Sequence, residues 1–98
     1  MINIYTLEGC SQCKWLVLEL NRAGLEYRNF DADEHDEIAT RLEDLLNTTL
    51  YPIVHIDKGH KDIYLVSEDT SHYFHDDSIA ILTYLNIPHL VQLIKSNI

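Results

Sequence analysis

The hydrophobic rhythm of the chain changes at Gly9, and that change limits what it can fold into. Residues 2–7, INIYTL, carry β-branched and aromatic side chains at the density of a buried strand. Beyond EGC the apolar positions become Cys13, Leu16, Val17, Leu20 and Ala23, which is helical spacing, and Gly24 supplies a stop. Trp15 and Leu18 widen that apolar sector. The width predicts a helix covered by protein on more than one side, with Trp15 packed in the core rather than exposed beside Cys13. Residues 25–32, LEYRNFDA, return to strand character with Leu25, Tyr27 and Phe30 inward. A strand, a helix and a strand within about thirty residues predict a parallel pair joined by a right-handed crossover.

The remainder extends this unit. Asp33 stands as the N-cap of a second helix, with Asp36 three residues on and Ile38, Leu42, Leu45 and Leu46 as its buried stripe. Pro52–Asp57 is a strand that opens with proline, KGHK at 58–61 is a turn, and Asp62–Val66 returns as an antiparallel partner. Residues 67–75 form a loop. Asp76 or Asp77 then caps a third helix that uses Ile79, Leu82 and Leu85, and a last short helix starts near Pro88 with Leu90, Val91 and Ile94 buried. The expected order is β-α-β-α-β-β-α, an α/β fold with a mixed four-stranded sheet and helices on both faces. At 98 residues it is one domain, 1–98, with a single modest core.

Sixteen acidic residues against seven basic ones give a formal charge of −9, which disfavours nucleic acid and anionic membrane surfaces as partners. The densest acidic run, Asp31, Asp33, Glu34, Asp36 and Glu37, is a solvated helix start in the ordinary reading and a docking face for a basic partner in the other. No apolar run approaches the roughly 18 residues of a membrane span, and the first residues lack the pattern of a signal peptide. A cytoplasmic, monomeric protein is expected.

Both cysteines of the chain, Cys10 and Cys13, fall in EGCSQCKW. A structural staple is disfavoured on physical grounds, because a two-residue gap closes almost no loop entropy and a reducing compartment does not sustain such bonds. Thiol exchange needs an ionised attacker and a second thiol within reach of the mixed disulfide. A CxxC at a helix start provides both. Free backbone amides and the positive end of the helix dipole favour the thiolate of Cys10, and Lys14 adds a nearby positive charge that Glu8 opposes. Cys13 lies one turn deeper on the buried face. Two other readings compete: an ordinary pair of apolar cysteines, and a zinc site completed by His72 and His75, whose HxxH spacing is shorter than usual for zinc. His35, His55, His60 and His89 are scattered and have no assigned role. Pro52 is the third element of the site. If Tyr51–Pro52 is cis, the Tyr51 backbone is left beside Cys10, free to hold an extended substrate as a short added strand; a trans edge proline is the alternative.

On these residues the chain resembles the glutaredoxins of the thioredoxin superfamily over nearly all of its length. Its N-terminal half is most similar to the glutaredoxin-like redoxins that serve ribonucleotide reductase, through Ile4-Tyr5-Thr6, Cys10-Ser11-Gln12-Cys13 and Gly24-Leu25-Glu26-Tyr27. The resemblance implies a thioredoxin-like fold, Cys10 as attacking thiol, Cys13 as resolving thiol and Pro52 as the cis proline. It further implies substrate contacts at Ser11, Gln12, Tyr51, Pro52, Phe74, Asp76 and Asp77. Four departures stand out. Ser11-Gln12 replaces the usual Pro-Tyr, and Leu50-Tyr51 replaces Thr-Val before the proline. Tyr73-Phe74 occupies the place of a Gly-Gly pair that lets glutathione approach the backbone. Of the redoxins' Ser-Gly-Phe-Arg-Pro-Asp motif only Phe74 and Asp77 are recovered.

The function expected from all this is a dithiol oxidoreductase that reduces protein disulfides or glutathione mixed disulfides. The resemblance implies ribonucleotide reductase as one such substrate, with glutathione or thioredoxin reductase as the electron source. No metal or bound cofactor is called for. The alternative is a non-enzymatic binding module of the same fold that recruits a protein or an iron-sulfur cluster.

Overall fold

The computed structural model describes residues 1–67 and 78–98. The element order is β1 (Ile2–Thr6), α1 (Ser11–Arg22), β2 (Arg28–Asp31), α2 (Asp36–Leu46), β3 (Ile53–Asp57), β4 (Asp62–Val66), β5 (Ile79–Thr83) and α3 (Ile87–Asn97). The strands form one mixed sheet in the order β2-β1-β3-β4-β5. β1 pairs parallel with β2 and antiparallel with β3, β3 pairs antiparallel with β4, and β4 pairs parallel with β5. Helices cover both faces, as expected for an α/β thioredoxin-like fold.

Strand alternation divides the interior into two cores. Ile4, Val54 and Leu65 meet Leu16 and Leu20 of α1 and Ile87, Leu90 and Ile94 of α3 on one face. Their neighbours Tyr5, Ile53, Tyr64 and Val66 meet Leu42 and Leu46 of α2 on the other. Strands covered on both faces read as nearly continuous apolar runs, which is the character of IVHID and DIYLV.

Four sequence expectations need correction. The first is the third helix: Ile79–Thr83 is a fifth strand, so the sheet has five strands and not four. Ile79, Leu82 and Leu85 satisfy helical spacing, but Ile79 and Ile81 face the α2-side core while Ala80 and Leu82 face the other. A short apolar run fits either period, and the open edge of β4 decides between them. Asp76 and Asp77, the proposed caps of that helix, lie outside the described residues.

The second concerns the start of α2, whose N-cap is His35 with no side-chain cap bond. Asp33 is instead held by its own N–H, which donates to Asp31 Oδ1 at 2.8 Å. The Asp31 carbonyl also accepts from Glu34 and His35 N–H. This local turn consumes the residues that would have formed the first helical turn. Thirdly, Ile38 is exposed, and Ala39 takes its place in the buried stripe with Leu42 and Leu46. Lastly, Trp15 is 41% exposed and Leu18 61%, because α1 buries only the Cys13-Leu16-Leu20 stripe. Ala23, also expected in that stripe, is exposed at the helix end.

The closing elements match better. α3 begins at Ile87 with Pro88 in its first turn, and Asn86 caps it by accepting from His89 N–H at 2.9 Å. His55 turns out to be a packing residue, with Nε2 2.7 Å from Asp62 Oδ1 and its ring stacked on Tyr64.

Tyr84, directly after β5, donates its hydroxyl to the Pro52 carbonyl at 2.7 Å in the interior. Burial pushes the Tyr84 phenol up to about 12, and a hydrogen bond with Ser67 partly opposes that shift. Tyr64 is also raised to about 12, chiefly by burial and then by Asp62. An acid raised in the folded state is neutral there when its unfolded counterpart, near 10.0, already ionises. The stability these two phenols contribute is therefore fully present below pH 10 and is lost progressively towards pH 12. We expect urea midpoints to drop across that window. Tyr84→Phe should lower stability at pH 7 by about 1–3 kcal/mol, because the buried Pro52 carbonyl loses its donor, and should flatten the alkaline loss.

Candidate functional site

The site grows out of the end of β1. Leu7, Glu8 and Gly9 make a tight turn in which Cys10 N–H donates to the Leu7 carbonyl at 3.3 Å. Gly9 sits at φ +77°, a left-handed conformation that side chains other than glycine resist, so the turn depends on it. α1 starts immediately afterwards with Cys10 as its N-cap.

An N-cap residue accepts from the free amides of the first turn, usually through a side-chain oxygen. Here sulfur does it: Cys13 N–H points at Cys10 Sγ at 3.2 Å. The Cys10 carbonyl accepts the first helical bond from Lys14 N–H at 3.1 Å. The first turn of α1 contains no acidic residue to oppose a negative sulfur. Cys10 is half-buried, whereas Cys13 is 3% exposed beneath the helix. The two sulfurs are joined as a disulfide across a Cα–Cα separation of 5.2 Å. Ser11 and Gln12, between them, are both exposed.

Pro52 comes to the same end of the sheet. The β1–β3 ladder pairs Tyr5 with Ile53, so Pro52 stands just beyond the last pair, where β1 runs into the cysteine turn. The Tyr51–Pro52 peptide is cis. Pro52 is buried, and the loop leading to it is held by α2: Asn47 closes the helix in the left-handed conformation and Thr48 N–H donates to the Glu43 carbonyl at 3.2 Å. The Tyr51 ring packs on the α2-side core and its hydroxyl donates to Glu43 Oε2 at 3.2 Å. Burial and then the Glu43 carboxylate push that phenol up to about 12.

A glutaredoxin family model matches residues 2–61, from β1 to the turn after β3. The chain belongs to the glutaredoxin family. No curated protein and no solved structure matches it. In a glutaredoxin chain the CxxC pair at the start of α1, closed as a disulfide, supports thiol-disulfide redox function and oxidoreductase activity in the general sense.

Of the residues implied as substrate contacts, Ser11 and Gln12 share the start of α1 with the thiols Cys10 and Cys13, and Tyr51 and Pro52 precede β3 at the same sheet end. Phe74, Asp76 and Asp77 lie outside the described residues, as do Tyr73 and the proposed zinc ligands His72 and His75. Among the described residues no group of three His, Cys, Asp or Glu side chains is gathered as for a metal ion, and no helix is long and apolar enough to cross a membrane.

Sequence reading missed an open cavity of about 410 Å³ beside Cys13, between α1, the end of β1 and Asn29 of β2. Thr6 and Cys13 are buried within it, and Lys14 and Asn29 are exposed at its rim. The signal was present in the apolar side of α1 left over after the buried stripe, but helical spacing assigns that surplus to the core.

The difference in access between the two sulfurs is directly measurable. After reduction and treatment with limiting iodoacetamide, peptide mass mapping should find a singly modified species labelled on Cys10, with Cys13 labelled only as the protein unfolds.

Proposed function

We propose that this glutaredoxin is a dithiol-disulfide oxidoreductase in which Cys10 attacks and Cys13 resolves. The observation that carries the reading is the sulfur cap: Cys10 Sγ receives the Cys13 N–H at the amide-rich end of α1, while Cys13 is buried one turn behind it. In the reduced protein that amide and the helix dipole favour a thiolate on Cys10, the form that attacks disulfides.

The Cys10 thiolate attacks one sulfur of a substrate disulfide, and the other substrate sulfur leaves as a thiolate that takes up a proton. The Cys13 thiol loses its proton and attacks Cys10 Sγ, forming the Cys10–Cys13 disulfide and releasing the second substrate thiol. Two electrons pass from the protein to the substrate. The 5.2 Å Cα separation lets the closing step proceed within one helical turn. Glutathione or thioredoxin reductase then reopens the bridge. Protein disulfides and glutathione mixed disulfides are the proposed substrates, ribonucleotide reductase among them. The cytoplasm is the proposed setting, for a monomer with no resident cofactor.

The test supplies NADPH with either glutathione and glutathione reductase or thioredoxin reductase, and follows reduction of a protein disulfide and of a glutathione mixed disulfide. Turnover with one of these pairs is expected, and Cys10→Ser should lower it by at least about a thousandfold. Cys13→Ser should accumulate a covalent complex with the protein substrate through Cys10. Wild-type turnover by Cys10→Ser would remove the proposed role.

A further inference from the structure

The cavity beside Cys13 is not needed for the exchange between the two sulfurs, yet it opens next to them. Its walls are aliphatic, supplied by Leu7, Val17 and Leu18. Its rim is different. Among the described residues that line it, Lys14 is the one charged group, a cation in a chain of net charge −9. Asn29 Oδ1 accepts from the Thr6 hydroxyl at 2.8 Å, and the Asn29 NH2 is a donor. An apolar interior with two donors at its mouth, one of them cationic, complements an apolar side chain carried beside a carboxylate.

We infer that this cavity is a specificity subsite for the disulfide-bearing substrate, taking an aliphatic side chain whose neighbour in the peptide is Asp or Glu. The inference rests on the oxidoreductase reading above. Cys13 lines the cavity and sits within bonding reach of Cys10, which is not itself a lining residue, so a peptide joined to Cys10 starts one side chain away from it. Extended chain advances about 3.3–3.6 Å per residue, which places the anchoring pair within the first few residues from the attacked cysteine. Leu18, 61% exposed in the free protein, is the wall that such an anchor would cover.

The test uses the pre-reduced protein in single turnover, so that the identity of the reductase does not enter. The substrates are short peptides closed by an internal disulfide and flanked by Leu-Glu, Leu-Lys, Ser-Glu or Ser-Ser. The small disulfide of 2-mercaptoethanol serves as a reference. Each reaction passes two electrons from Cys10 and Cys13 to the peptide, which leaves as a dithiol. The Leu-Glu peptide should half-saturate at a concentration about tenfold below Ser-Ser, equivalent to about 1.4 kcal/mol. Leu18→Asn should erase that advantage while leaving the ratio of Ser-Ser peptide to small disulfide in place. Lys14→Gln should abolish the difference between Leu-Glu and Leu-Lys, a difference that added salt also weakens.

Equal half-saturation for all four peptides overturns the subsite, and so does a Leu18→Asn effect of the same size on every peptide. Inhibition by a free medium-chain fatty acid without any peptide preference assigns the cavity to a small amphiphile and overturns it too. Failure to reduce even the small disulfide sinks the oxidoreductase reading itself, which keeps the two failures distinguishable.

Discussion

The antiparallel ladder between β1 and β3 is the constraint from which the rest follows. β1 lies inside the sheet with β2 on one side and β3 on the other, so its register fixes both neighbours. Pairing Tyr5 with Ile53 and Ile4 with Val54 sends the first pair to α2 and the second to α1 and α3. A slip of one residue would exchange the two cores and carry the cysteine turn away from Pro52. The chemistry at the end of β1 is therefore set by packing in the middle of the sheet.

Local chemistry made some elements legible and tertiary context decided others. α1 is readable because Gly9 and Gly24 bracket a helical apolar stripe, and α3 because Pro88 marks its start. The beginning of α2 is not, since Asp31 and Asp33 are equally suited to a cap and to a side-chain turn, and only the geometry after β2 selects the turn. β5 escaped for a different reason. IAILT fits a strand or a helix, and its identity comes from β4, a partner that sequence spacing does not reveal.

The site divides along the same line. Cys10 and Cys13 are close in sequence, so their placement one turn apart follows from the helix that holds them. Pro52 was suspected from its position at a strand start, and the β1–β3 register brings it to the cysteine end. The cavity under Leu18 required knowing which side of α1 lacks a neighbour. The width of the apolar sector assigns Trp15 and Leu18 to the interior, although a helix packed against one sheet and one other helix has a free side.

The family match ends at residue 61, and the hydroxyl that holds the Pro52 carbonyl comes from Tyr84. The part of the chain that carries the exchange chemistry is thus completed by a part outside the matched span. A chimera that grafted another redoxin's closing elements after the β3–β4 turn would have to bring its own donor to that carbonyl. Without one it would inherit the cysteines and lose the support behind them.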